Sequence, residues 1–314
     1  MFCAFTGSSL FVTRLGPLSG RCFFMKKYDV KWFRERSSKY KNGFILFLSR
    51  RFEIIPVASM LCKAVSNSLI VCLPLSSMAH ADSSPTDLAW QAQQKLQRGE
   101  VTAARETLQQ VAITDRNTPA VIFEKALLDD TEGLHEHARI GYDRLQLGPL
   151  ASSVAVPSAV NLVAVGQFKQ AATAFKQLSI SQDSYVAGYA QLWELWLLAA
   201  QKGGSAYHRE LLAEASSGIR PASPQQNAIR QLYAGEGSVD AVFSAIESMH
   251  FTDSLQERTA RSEAAFFCGG YLQYVLNDYP AAMRLYQREL AEPGASIERP
   301  LIKKALISIS LATR

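Results

Sequence analysis

The 314-residue chain predicts an all-α fold, a right-handed superhelical solenoid of antiparallel helix pairs, on three observations. Gly99, Gly133 and Gly166 recur at intervals of 34 and 33 residues. Each is followed five residues on by alanine: Ala104, Ala138 and Ala171. Beyond each alanine, Leu108, Tyr142 and Phe175, then Val111, Leu145 and Leu178, complete an i, i+4, i+7 apolar stripe, which is one face of a helix. A helix stops at a residue that tolerates unusual backbone angles, and a second helix packs back on it. The alanine lets the two backbones approach, and the larger residues fill the space toward the next pair.

Taken in chain order, the first 59 residues fit no such pattern. They hold 11 Lys and Arg against three acids, with an aromatic, basic composition (FFMKKYDVKWFRER). Residues 60–81 read as a secretory signal: Lys63, an apolar stretch around Leu69–Leu75, and a small-x-small cleavage site, Ala79-His80-Ala81, before Asp82. Asn67, Pro74 and Ser76 interrupt that stretch, which is shorter than the roughly 20 residues of a membrane-spanning helix, so no stable span is expected. A signal acts from an N-terminus, so translation is expected to begin at Met60, with 1–59 an upstream extension or a disordered leader.

From residue 82 onward the repeats are expected near 85–118, 119–151 and 152–185, with Pro157 shortening the start of the third. A further copy falls near 263–296, where Asn277 takes the turn position, Ala282 stands at plus five and Tyr286 at plus nine, with Phe266, Gly270 and Tyr274 in the preceding helix. Between them, 186–262 still reads helix, Gly-rich turn, helix, in irregular register. Pro221, Pro224 and the Pro293–Ser296 stretch mark joints between pairs, and a capping helix follows over 300–312. A period of 34 is that of the tetratricopeptide (TPR) repeat, in which each unit buries its apolar face only against its neighbours.

Charge and cysteine usage narrow the function. The formal net charge is +5, yet residues 82–314 carry 21 basic and 25 acidic side chains, so the positive charge belongs to the leader and gives no ground for nucleic-acid binding. Of five cysteines only Cys268 follows the cleavage site, which leaves no intramolecular disulfide. Leu61 and Val71, before Cys62 and Cys72, are bulky where a bacterial lipoprotein signal needs a small residue. A soluble periplasmic protein without an outer-membrane lipid anchor is expected.

Residues 266–290 (FFCGGYLQYVLNDYPAAMRLYQREL), with LWELWLLAAQ (192–201) and LYAGEGSVDAVFSAIES (232–248) in the same order, resemble the NlpI-type TPR adaptors of enterobacterial envelopes. The likeness spans roughly 165–310. It implies a dimeric, non-catalytic adaptor that docks peptidoglycan hydrolases and a periplasmic protease. The missing lipid-attachment cysteine departs from that family's pattern.

Candidate sites follow from the repeat. The first helix of each TPR pair lines the concave surface, which places Phe123, Leu127, Val156, Val160 and Val163 on or near a partner groove suited to an inserted peptide or helix, or else in packing between adjacent helices. Trp193 and Trp196 form a stripe with Tyr189, as core or as an interface anchor. His135-Glu136-His137 sets two imidazoles about 200° apart on a helix, the wrong spacing for a metal. Gly235-Glu236-Gly237 lacks the lysine of a phosphate loop. Cys268 reads as a small buried hydrophobe. No catalytic set, cofactor or metal is expected. The reading is a non-enzymatic adaptor that binds envelope proteins, with a homodimer left open. The alternative is a structural component of a secretion, pilus or polysaccharide-export machine, and a deep polar cleft with convergent titratable groups would argue for an enzyme.

Overall fold

The computed structural model describes residues 84–202 and 205–312. The leader, the signal segment, its cleavage site and Cys3, Cys22, Cys62 and Cys72 lie outside them. The described chain is all-α: α1 Pro85–Gln97, α2 Val101–Gln109, α3 Pro119–Thr131, α4 His135–Leu145, α5 Ala151–Ala164, α6 Phe168–Leu178, α7 Ser184–Lys202, α8 Ala206–Ser217, α9 Pro224–Ala234, α10 Val239–Glu247, α11 Ser254–Gly270, α12 Tyr279–Ala291 and α13 Arg299–Ala312. A π-helical turn, Tyr271–Val275, continues α11. None of the described helices is long and apolar enough to cross a membrane.

Local chemistry starts and stops these helices. Ser84, Ser205, Ser223 and Ser238 each accept a hydrogen bond from a backbone N–H of the first turn, and Pro85 and Pro224 occupy the position where a missing N–H costs nothing. The helices of each pair are joined by a few residues and pack against each other, and α1 packs on α3, α3 on α5, α7 on α9, and α9 on α11. Odd-numbered helices therefore share one side of the array.

The turns repeat in three dimensions. Gly99, Gly133 and Gly166 have φ of 81°, 84° and 79°, and Asn277 has φ 55°. The residues that follow, Glu100, Leu134, Gln167 and Asp278, have φ between −81° and −87° and ψ between 53° and 71°. The N–H groups of Glu100, Leu134 and Gln167 donate to the carbonyls of Lys95, Asp129 and Leu162 at 2.8–3.0 Å, satisfying an orphan carbonyl at the helix end. At the fourth turn Asp278 donates to Leu272, one residue further back, because the π turn has absorbed one extra residue. Ala104, Ala138, Ala171 and Ala282 are all fully buried, as the close approach of paired helices requires.

The α9–α10 pair explains the irregular register of the middle. Gly235 adopts the same left-handed conformation at φ 80°, but α10 begins four residues later rather than two. Buried Val242 and Ile246 consequently stand seven and eleven residues past the glycine, where the turns at Gly133, Gly166 and Asn277 are followed by buried residues at five and nine. Pro157 does not shorten the third repeat. It lies inside α5, which starts at Ala151, and the Ser153 carbonyl that loses its helical donor sits at a partly exposed residue.

An aromatic cluster joins α6, α7 and α11. Trp193 stacks on Phe175 at 4.9 Å and packs on Phe266 at 4.7 Å, and Trp196 stacks on Phe266 at 5.2 Å. Trp193 and Trp196 are buried in this core. Gly269 and Gly270 make the cluster possible: a Cβ on the first would overlap the Tyr286 ring, and on the second the Trp196 indole. Cys268, beside them, is buried and unpaired, and burial pushes its thiol well above the ordinary range.

Alanine normally improves a helix interior over glycine by about 1 kcal/mol. At Gly270 overlap with the indole reverses the sign: G270A is expected to destabilise by about 1–3 kcal/mol in urea unfolding. In the native protein Cys268 is expected to stay unlabelled by maleimide until denaturant is added, as read by peptide mass spectrometry, and rapid native labelling would contradict its burial.

Candidate binding cavity

Residues 292–298, between α12 and α13, form a strap rather than a simple joint. Arg299 fixes its far end, where the guanidinium donates to the Glu289 carbonyl at 2.9 Å, to Glu289 Oε1 at 2.6 Å and to the Glu292 carbonyl at 2.6 Å. From that anchor the strap reaches the first repeat. Gly294 lies against Gly99, so closely that a Cβ at Gly99 would stand 3.0 Å from the Gly294 nitrogen. Ala295 and Ile297 pack on the N-terminal apolar cluster of α1 to α5. Lys304 of α13 adds a bond of 2.6 Å to the Ala164 carbonyl at the end of α5.

Beneath the strap is a cavity of about 230 Å³. Residues from α1, α3, α5, α7, α9, α11, the connection 249–253, the strap and the start of α13 line it, and Tyr142 is its one contribution from an even-numbered helix among the described residues. Its walls are largely apolar, from residues such as Leu96, Leu127, Val160, Phe251 and Ile297, but three buried carboxyls face it: Glu124, Glu263 and Glu298.

Each of these accepts a side-chain hydrogen bond on one oxygen. Gln93 Nε2 donates to Glu124 Oε1 at 2.8 Å, the Tyr185 hydroxyl donates to Glu263 Oε2 at 3.0 Å, and the Tyr189 hydroxyl donates to Glu298 Oε1 at 2.5 Å. Glu124 Oε2 and Glu263 Oε1 have no hydrogen-bond partner among the described residues. Burial accordingly raises all three carboxyls. Glu124 goes well above its ordinary value, and Glu263, buried and facing Glu298, rises to about 8. The phenols of Tyr185 and Tyr189 are pushed up as well, by burial first and by these carboxylates second.

Asp130 also lines the cavity, but its Oδ1 is engaged by His135 Nδ1 at 2.9 Å and Asn161 Nδ2 at 2.7 Å. His135 therefore serves a helix-to-helix tie, and His137 is exposed. Among the described residues no group of three or more His, Cys, Asp or Glu is placed to hold a metal ion.

All five predicted groove residues are buried. Leu127, Val156 and Val160 line the cavity, whereas Phe123 belongs to the N-terminal cluster and Val163 to the main core. The buried carboxyls were not singled out from the sequence. Glu124, Glu263 and Glu298 are far apart along the chain, and Glu124 and Glu263 each sit in a helix that also displays solvated charges. An outer row of apolar residues went unnoticed too: Ile113, Leu147 and Ile180 each stand 14 residues after a turn glycine, and each is more than three-quarters exposed.

Comparison of the chain with protein-family models finds no match, and comparison with curated proteins finds none either.

The raised carboxyl of Glu263 makes stability depend on pH. Below about pH 4.5 folded and unfolded chains both hold the proton; between there and about 8 the unfolded chain releases it while the fold retains it, so stability falls as pH rises and levels off above 8. E263Q is expected to flatten that fall, melting roughly 5 °C or more above the natural chain at pH 8 and within a degree or two of it at pH 4.5. Parallel pH profiles for the two chains would remove Glu263 as the cause.

Proposed function

We propose that the chain is a non-enzymatic TPR-type scaffold that binds other proteins, and that the partner contacts the outer row Ile113, Leu147 and Ile180. The row carries the reading. These residues occupy one position in three successive repeats, in the connections between helix pairs. A repeated, exposed aliphatic position is what a repeat array offers to a partner lying along it. The four turns of matching conformation and the buried alanines support the TPR assignment.

The inner groove is filled by the chain's own strap and core packing, which moves partner contact from the inside to the edge. The cavity under the strap is polar in part, yet among the described residues no histidine or cysteine lines it, and its buried carboxyls accept from amide and phenol donors. Recognition rather than turnover is the reading that fits. Periplasmic placement rests on the signal-like segment 60–81, and the adaptor role on the likeness of 266–290 to the NlpI-type proteins.

Affinity capture with the natural chain and with I113S/L147S/I180S tests the proposal. The variant is expected to melt within a few degrees of the natural chain, because these side chains are solvated, and to lose the envelope proteins that the natural chain retains. Equal capture by both, or no specific capture by either, would overturn it. N-terminal sequencing of protein from the periplasmic fraction is expected to begin at Asp82.

A further inference from the structure

The strap is fastened at its two ends and merely laid down between them. At one end Arg299 holds the Glu292 carbonyl at 2.6 Å. At the other the Glu298 carbonyl accepts the Ile302 N–H at 2.9 Å, in the first turn of α13, and the Glu298 carboxyl accepts the Tyr189 hydroxyl at 2.5 Å. Residues 293–297 span the interval. Among the described residues no hydrogen bond joins them to α1, α3 or α5, although Ala295 and Ile297 pack on the cluster those helices build. Their bonds come instead from the far side: Arg258 of α11 donates to the Pro293 carbonyl at 3.3 Å, and the Arg299 N–H to the Ser296 carbonyl at 3.2 Å.

Apolar contact alone therefore seats the strap on the first repeats, through an alanine and an isoleucine that are both half-buried. What lies beneath is sealed far better. Leu127, Val156 and Val160 line the cavity and are 8%, 5% and 3% exposed. A segment with few buried apolar contacts and no ladder of backbone bonds opens at lower cost than the body of the fold. Lifting 293–297 forfeits the partial burial of two side chains, and it returns the conformational entropy of the ordered backbone. The Arg299 clamp and the Tyr189–Glu298 bond lie outside the lifted residues, so α12 and α13 keep their places.

We propose that residues 293–297 are a lid that opens while its two posts and the helices stay folded, and that opening bares the inner apolar side at Leu127, Val156 and Val160. Closed, the lid's own Ala295 and Ile297 occupy that side. The contact is thus autoinhibitory toward a partner of the inner side, and this last point alone rests on the scaffold reading. Opening itself is a property of the single chain and is measured without a partner.

Thiol labelling of the full chain by maleimide tests the proposal, because a covered thiol reacts in proportion to the population in which it is uncovered. V160C puts a reporter on the cavity wall with little change in volume, and Cys268, fully buried in the main core, reports unfolding of the whole fold in the same molecule. Without denaturant the V160C thiol is expected to label at least about a hundredfold faster than Cys268. Low urea is expected to change its rate little while raising that of Cys268 steeply, since opening a lid exposes far less surface than unfolding. I297A, which trims the lid's isoleucine, is expected to speed labelling of V160C about tenfold. L127C carries the same comparison from α3 should V160C fail to show a cooperative urea transition. Labelling of the reporter at the rate of Cys268 and with the same urea dependence would overturn the proposal, because the cavity would then open only with the whole fold. An unchanged reporter rate in I297A would overturn it too, by placing the route to the cavity elsewhere.

Discussion

The Arg299 clamp is the contact on which the inner side of the molecule depends. A helix ends with carbonyls that have lost their donors, and a buried guanidinium is well suited to them because it offers five donors in a planar fork. Here it takes the carbonyls of Glu289 and Glu292 together with the Glu289 carboxylate, and the Ser262 hydroxyl bonds that same carboxylate. The charge is therefore paired and hydrogen-bonded, the condition under which a buried arginine is tolerated. Its consequence is geometric. With the end of α12 tied to the start of α13, the residues between them must bulge across the odd-numbered helices, and Gly294 finds room because Gly99 has no side chain in its path.

From that constraint follows the electrostatic character of the cavity. The strap removes Glu298 from water and covers Glu263, and the two hydroxyls of Tyr185 and Tyr189 on α7, one helical turn apart, satisfy one oxygen of each. Two phenols cannot match four carboxylate oxygens. The remainder is a standing cost, which a core of hydrophobic residues would have avoided. The same face of α7 continues into the aromatic cluster, where the Tyr189 ring packs edge-on against Trp193 at 6.2 Å and Phe267 at 6.1 Å, and Gly269 and Gly270 of α11 admit Tyr286 and Trp196. Dense packing of that cluster thus holds the Tyr189 ring in place beside Glu298.

The repeats were legible because their physics is local. A left-handed turn needs glycine or asparagine, close helices need alanine, and both leave marks at fixed spacing, so Gly99, Gly133, Gly166 and Asn277 located four helix pairs. The α9–α10 pair escaped the count since its turn is two residues longer, which moves the small-residue position from five to seven and puts Val242 there. The strap and cavity were not legible. Glu298 meets Tyr189 across 109 residues, and Glu263 meets Tyr185 across 78. Such pairings follow from how the pairs stack, and no single helix announces them. The five residues expected at a groove lie on α3 and α5, and Leu127, Val156 and Val160 among them face a cavity closed by a segment that its Pro, Gly and Ser content marked only as a joint.

The difference between the regular and irregular parts separates two kinds of surface. Positions that recur, such as Ile113, Leu147 and Ile180, form a row whose spacing is set by the repeat, so it suits an extended partner and gains from each added unit. The cavity gathers residues from helices, connections and the strap at positions that do not recur, so its chemistry is specific to one place. Its volume of about 230 Å³ is below the roughly 300 Å³ at which drug-sized sites begin, and a strap closes over it. A peptide laid along the inner side would have to displace Ile297 and Ala295 from the N-terminal cluster and break the Tyr189–Glu298 bond. The strap thereby keeps the buried cavity apart from the exposed row.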